Sequence, residues 1–327
     1  MRGVRKSLED RKREYRIIYE LLEDQPRINI KSIASILDSD RHSASNRLKE
    51  IFSYGYALKP QIRKRSYQNM KEYMYFLQHQ NPQDAFEKYS KLDEVVYLAV
   101  LGGSPNFWMI TRKPLDVRAA VIEGPRSDYV VPVAPEATWD DAFRRIHTKI
   151  EEFNPASYQP HNMIQNHWDE FIEWNDEDEK LYNAFQYDLR KKLSPVMKEN
   201  LISGEKIYKW FDRLEETCTV FTHFFPDGID AYDPYLLAVD TDYEDFILDL
   251  FSQFPTTSMF FKIGKRLFCL CYVKRTYLKR VTGPVNGIED LEIPLIFKIL
   301  KNQGYVTNWG SLSIEYYYTN NAVNPNL

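Results

Sequence analysis

One spacing constrains this chain more than any single motif: segments of like pattern recur 162 residues apart. Phe86–Leu92 (FEKYSKL) pairs with Leu248–Phe254 (LDLFSQF), and 248 − 86 = 162. At the same offset Met74–Leu77 lands on Leu236–Val239, Gly102 on Gly264, Trp108–Thr111 on Leu270–Val273 and Ser43–Leu48 on Glu205–Trp210. Twice 162 is 324, nearly all of the 327 residues, so the chain reads as one two-part module written twice.

The first part of the module is helical and basic. Tyr15, Ile17, Ile18, Leu21 and Leu22 fall at helical spacing, and Pro26 ends that helix. Ile30, Ile33, Ala34 and Leu37 make a second apolar face, and Asp38, Ser39 and Asp40 supply a turn and a cap. A third helix is predicted over Arg41–Phe52. Its Ala44, Leu48 and Ile51 turn inward, leaving Arg41, His42, Ser43, Ser45, Asn46, Arg47 and Lys49 as candidate readers of base edges and phosphates. Beyond Gly55 the run Tyr56–Tyr67 alternates like a hairpin. Its Lys59, Arg63, Lys64 and Arg65 are predicted to grip a nucleic-acid backbone as a wing.

Charge is divided accordingly. Residues 1–66 carry 16 Lys or Arg against 9 Asp or Glu, 16 − 9 = +7, and the remainder 27 − 38 = −11, which sums to the net −4. Positive charge confined to one end of an acidic chain lets that end meet phosphates.

Ile17, Ile18, Leu21, Leu22, Asp24, Arg27, Ile28, Ile33, Ala34, Leu48 and Gly55 together resemble the winged helix-turn-helix of feast/famine regulators of the Lrp/AsnC type. The resemblance implies that a βαββαβ sensor and dimerisation domain follows the reader, that duplex DNA is the partner, and that an amino acid or related small-molecule effector binds near a strand-strand turn. That turn is Gly102, Gly103, Ser104 and Asn106 here, where glycine frees backbone donors.

The expected fold class is therefore α+β: an N-terminal winged helix-turn-helix over 1–67, a ferredoxin-like domain over 68–153, a connector over 154–175, then a divergent second copy of both over 176–230 and 231–327. In each sensor segment the pattern gives strand, helix and two further strands: Tyr73–Leu77, Pro82–Leu92, Glu94–Leu101 and Phe107–Thr111, then Tyr235–Val239, Tyr243–Phe254, Met259–Ile263 and Leu267–Val273. The pattern departs over Leu115–Pro135, rich in Val, Pro and Gly, where the family has its second helix and fourth strand. The second reader has lost its charge, 8 Lys or Arg against 11 Asp or Glu over 176–228, and carries Ile207, Tyr208, Trp210 and Phe211 on the equivalent helix. Such a face packs against protein. Arg190, Lys191 and Lys192 read as a solvated helix end.

No run of apolar residues is long enough for a membrane span, and Arg2, Arg5 and Lys6 do not open a secretory signal. Three cysteines suit a reducing, cytoplasmic setting, with Cys269 and Cys271 on one strand face as a buried thiol pair. His161 and His167 lack a third metal ligand at suitable spacing, and no phosphate loop, G-x-S-x-G or G-x-G-x-x-G occurs. The expectation is a transcription regulator and not an enzyme, without metal or cofactor, working as a homodimer or higher homo-oligomer. Two chains would set their recognition helices one helical turn of DNA apart. The alternatives are a protein-interaction adaptor docking through Tyr208, Trp210 and Phe211, and an RNA binder stacking bases on Tyr54, Tyr56 and Tyr67.

Overall fold

Short polar residues at helix starts set the register of the helical segments. The computed structural model describes residues 7–118, 120–274, 292–319 and 322–325. Helix α1 (Leu8–Asp24) opens on a reciprocal cap, the Ser7 hydroxyl accepting from Asp10 N while the Asp10 carboxylate accepts from Ser7 N. Asn29 caps α2 (Ile30–Ile36), and Asp40 caps α3 (Arg41–Ser53) by accepting from His42 N and Ser43 N. The apolar stripe Tyr15, Ile18, Tyr19, Leu22, Ile33, Ala34, Ala44 and Ile51 is buried. After residue 175 the pattern recurs as α6 (Asp176–Phe185), α7 (Leu193–Asn200), α8 (Gly204–Asp212) and α9 (Leu214–Thr217), with caps at Asn175 and Ser203.

These segments form one compact unit, residues 1–63 with 173–230; residues 64–172 with 231–327 form the other. In the first unit, strand β1 (Gln61–Lys64) pairs with β6 (Cys218–Phe221). The predicted Tyr56–Tyr67 hairpin is not formed. Pro60 has no N–H to give a local ladder, and the residues around it bond across to the segment 173–230 instead: Leu58 N to His223 O, Phe225 N to Tyr56 O, Ile229 N to Gly55 O and Leu189 N to Pro60 O. The residues are exchanged at the sequence offset itself. Arg27 donates to Leu189 O, 189 − 27 = 162, and Arg190 donates to Ile28 O, 190 − 28 = 162, and to Pro26 O, both at 2.8 Å. Arg190 is thus an internal clamp, not the solvated helix end its basic neighbours suggest. Leu181, Phe185, Ile207 and Trp210 build one core, with Ile62 inserted from β1, while Tyr208 stays exposed.

The second unit is a mixed layer of helices on antiparallel strands. Its first half runs β2 (Tyr73–Leu77), α4 (Pro82–Tyr89), β3 (Val95–Gly102), β4 (Phe107–Thr111), β5 (Ala120–Pro125) and α5 (Trp139–Glu152). The second half runs β7 (Tyr232–Asp240), α10 (Glu244–Phe251), β8 (Met259–Ile263), β9 (Arg266–Lys274), α11 (Glu292–Asn302), β10 (Asn308–Thr319) and β11 (Ala322–Pro325). The irregular run Leu115–Pro135 contains the strand β5. Strand order is β5-β2-β4-β3-β10-β7-β9-β8, with β11 beside β10.

That sheet curls back on itself. β2 and β9 are five strand steps apart, about 24 Å along a flat sheet, yet the Phe76 and Phe268 rings stack with centroids 5.0 Å apart. Phe261 stacks on Phe268 at 5.1 Å and Trp108 on Phe76 at 5.6 Å, so Met74, Phe76, Trp108, Phe261 and Phe268 lie on the inner, concave face. Bridges from Arg126 to Ile263 and from Val130 to Phe260 link the chain after β5 to β8 and complete an eight-strand circuit. Helices cover the outer face: α4 packs Phe86 and Tyr89 over Leu98, Val100 and Phe107, and α11 stacks Phe297 on Trp309. Among the described residues no helix is long and apolar enough to cross a membrane.

Candidate functional site

The cations predicted to meet phosphates are largely spent on the protein itself. Arg47 donates to Glu14 at 2.6 Å and pairs with Glu50. Lys59 pairs with Asp188 at 2.6 Å. Arg63 lies over the Tyr187 and Phe221 rings and donates to Ile62 O, Lys64 is buried, and Arg65 pairs with Asp128 at 3.0 Å. On α3, Arg41, His42, Ser43 and Lys49 are exposed and Ser45 and Asn46 half-buried. The Ser43 hydroxyl is bonded to Asp40 at 2.7 Å, and Asn46 sits 3.0 Å from the His42 ring.

The turn Gly102–Asn106 is tied to the loop between β2 and α4. Asn106 accepts from His79 N and donates to His79 O, the Ser104 hydroxyl donates to Gln78, and Gly103, at φ +137°, lies against Leu312. A Cβ on Gly102 would collide with Ser313 and Glu315. That loop brings in a residue that motif reading passed over. His79 has its pKa lowered by burial and by Lys88, which keeps the ring neutral, and its Nε2 is enclosed without a hydrogen-bond partner.

Part of the concave sheet face is left incompletely covered. Strand alternation puts Tyr97, Ala238, Leu270, Gly310, Ile314 and Tyr317 on it, and all six remain half-exposed although Phe76, Phe261 and Phe268 on the same face are fully buried. Eight strands leave an interior that side chains fill or that holds one small ligand. Gly310 pairs directly with Ala238, and Ala238 with Phe268. One row further out, Asn308 faces Asp240, and Arg266 grips Asp240 with two hydrogen bonds of 2.6 Å each. The Arg266 guanidinium holds the Asp240 carboxyl below its ordinary range, and Asp240 in turn raises Arg266. The result is an apolar floor with a fixed charge pair at its lip. Such a lip retains donors on the guanidinium for an acidic group. None of these residues forms a linear motif; the signal is that β7, β9 and β10 each begin or end in a polar residue of inward parity.

No protein-family model matches the chain, and no curated protein matches it. Among solved structures, the crystal structure of the siroheme decarboxylase NirDL is similar, with a TM-score of 0.49 and 10% identity over 95% of this chain and 94% of that one. NirDL in co-complex with an iron-uroporphyrin III analogue gives a TM-score of 0.47 and 11% identity over 94% and 92%. Those structures are of an enzyme, and they correct the expectations of a Lrp/AsnC-type transcription regulator, of a non-enzyme and of duplex DNA as the partner. The adaptor and RNA-binding alternatives are set aside with them. The comparisons do not bear on the individual roles of Arg41, His42, Ser43, Ser45, Asn46, Arg47, Lys49, Lys59, Arg63, Lys64 and Arg65; a charge already neutralised by a carboxylate or stacked on a ring, as in Arg47, Lys59, Arg63 and Arg65, releases few counterions from DNA.

Proposed function

We propose that this chain handles a small organic molecule, bound on the concave face of the second unit. The observation that carries the reading is the half-exposed floor of Tyr97, Ala238, Leu270, Gly310, Ile314 and Tyr317 inside an otherwise packed eight-strand circuit, with Arg266 paired to Asp240 at its lip. Aromatic walls favour a flat, conjugated body, and a guanidinium with N–H groups to spare favours an acidic substituent. The turn Gly102, Gly103, Ser104 and Asn106 flanks the same end of β10, with Gly103 against Leu312, and is retained as part of the rim.

We also propose that the chain is a tandem duplication in which 1–67 and 176–230 are copies of a winged helix-turn-helix, 68–153 and 231–327 copies of a ferredoxin-like domain, and 154–175 the connector. Support comes from the reciprocal Arg27–Leu189 and Arg190–Ile28 bonds, and from the strand orders β5-β2-β4-β3 and β10-β7-β9-β8, which repeat one pattern.

Iron-uroporphyrin III, a planar polyacid, is a direct probe. Absorbance titration of the full chain is expected to give saturable binding that Arg266→Leu weakens about tenfold, the loss of a charge-assisted contact. Absence of saturable binding, or equal affinity in the variant, rejects this ligand class. Carbon dioxide release during the same incubation tests whether binding is followed by decarboxylation.

A further inference from the structure

Three glycines lie within the described strands, and two have a mechanical reason to be there. Gly102 is crowded by Ser313 and Glu315, and Gly124 has a φ of +151°. Gly310 has neither reason. Its φ lies outside the left-handed range, it sits in register opposite Ala238, and a Cβ built on it meets nothing within 4 Å. Glycine inside a strand weakens the strand, and where neither the backbone nor a neighbour demands it, it marks a surface that something else approaches closely.

We propose that Gly310 is a specificity residue, kept without a side chain so that the flat face of a conjugated, acid-bearing ligand can lie against β10; this rests on the small-molecule reading above. The ring system would cover Gly310 and Ala238, neighbouring small residues of the concave face, with its edge toward Phe268. Its acid would point one row outward to Arg266, which Asp240 already holds in place from one side. Any branched side chain at position 310 fills that space from below without straining the sheet. The observed geometry therefore separates stability from binding at a single position.

The test uses the full chain and 1-anilinonaphthalene-8-sulfonate, a flat aromatic anion, as probe. Fluorescence titration gives affinity, the Ala238 methyl resonance reports location, and thermal melting reports stability. Expected is a probe-induced shift of the Ala238 methyl in the wild type, at least a ~10-fold loss of affinity in Gly310→Val from the built-in clash, a smaller loss in Gly310→Ala, and no change in Ser311→Val on the outer face. The melting temperature of Gly310→Val is expected to equal or exceed that of the wild type. Wild-type binding with an unmoved Ala238 methyl, or no binding, overturns the small-molecule reading of this face. A shifted Ala238 methyl with wild-type affinity in both Gly310 variants overturns the role of Gly310 alone. A lower melting point in Gly310→Val and Gly310→Ala shows that the glycine serves packing and overturns it as well.

Discussion

The two units join an earlier and a later segment of the chain by different physics. In the first, the two segments exchange hydrogen bonds and charges: Arg27 and Arg190 cap carbonyls of the opposite segment, Lys59 meets Asp188, and β1 pairs with β6. In the second, the halves share one sheet through β3 and β10 and stack aromatic rings across its concave face. The polar junction consumes the groups that an exposed reader would need. The aromatic junction leaves part of its surface uncovered. How two segments are joined decides which chemistry remains for a ligand.

If the contrast is sound, removing a ring should hurt most. Phe268→Ala deletes a fully buried side chain stacked on both Phe76 and Phe261 and is expected to cost about 3–5 kcal/mol in denaturant unfolding. A loss below about 1 kcal/mol would mean that the stack does not hold the halves together.

The polar junction should answer to pH instead. Burial lifts the Glu23 carboxyl to about 7 against the opposing effect of its Thr222 hydrogen bonds and of Arg16, and burial with Arg63 drops His223 to about 3. Folded Glu23 keeps its proton where the unfolded chain has lost it, so its contribution is full below about 4.5 and declines as pH rises toward 7. Folded His223 resists a proton that the unfolded chain accepts, so its contribution is full above about 6.5 and declines as pH falls toward 3. Each is on the order of 3 kcal/mol across its window, and between pH 5 and 6.5 they oppose. Wild-type stability of the first unit is expected to be nearly flat there, while Glu23→Gln loses stability on acidification and His223→Phe gains it. Parallel profiles for all three proteins would remove the assignment.

Within that junction burial sets the scale. Arg190→Ala strands Pro26 O and Ile28 O and is expected to cost about 1–3 kcal/mol, whereas Lys59→Ala, with a lysine side chain 49% exposed, should cost less than about 1 kcal/mol. Equal costs would argue that the fold holds Lys59 no less firmly than Arg190.

Periodicity carried much of the local structure. The strands Tyr73–Leu77, Phe107–Thr111 and Met259–Ile263 stand at the residues the apolar runs mark, and α3 starts at Arg41, directly after the polar turn Asp38–Asp40. Partnership was hidden, because a strand's pattern does not name its neighbour: Gln61–Lys64 reads as half of a hairpin and pairs with residues more than 150 positions away. Charge counting failed for the same reason. The +7 of residues 1–66 is real, but a tally does not show that Arg47 lies beside Glu14 or Lys59 beside Asp188. The lip of the candidate site was invisible because Asp240, Arg266 and Asn308 terminate three different strands.

The first unit is also interrupted: its chain leaves at Arg63 and resumes at Glu173. During synthesis the strand Gln61–Lys64 therefore emerges with its edge bare, and it waits while more than 150 further residues are made before Cys218–Phe221 can seal it. A nascent protein of this layout has a period of vulnerability to mispairing written into its order of synthesis.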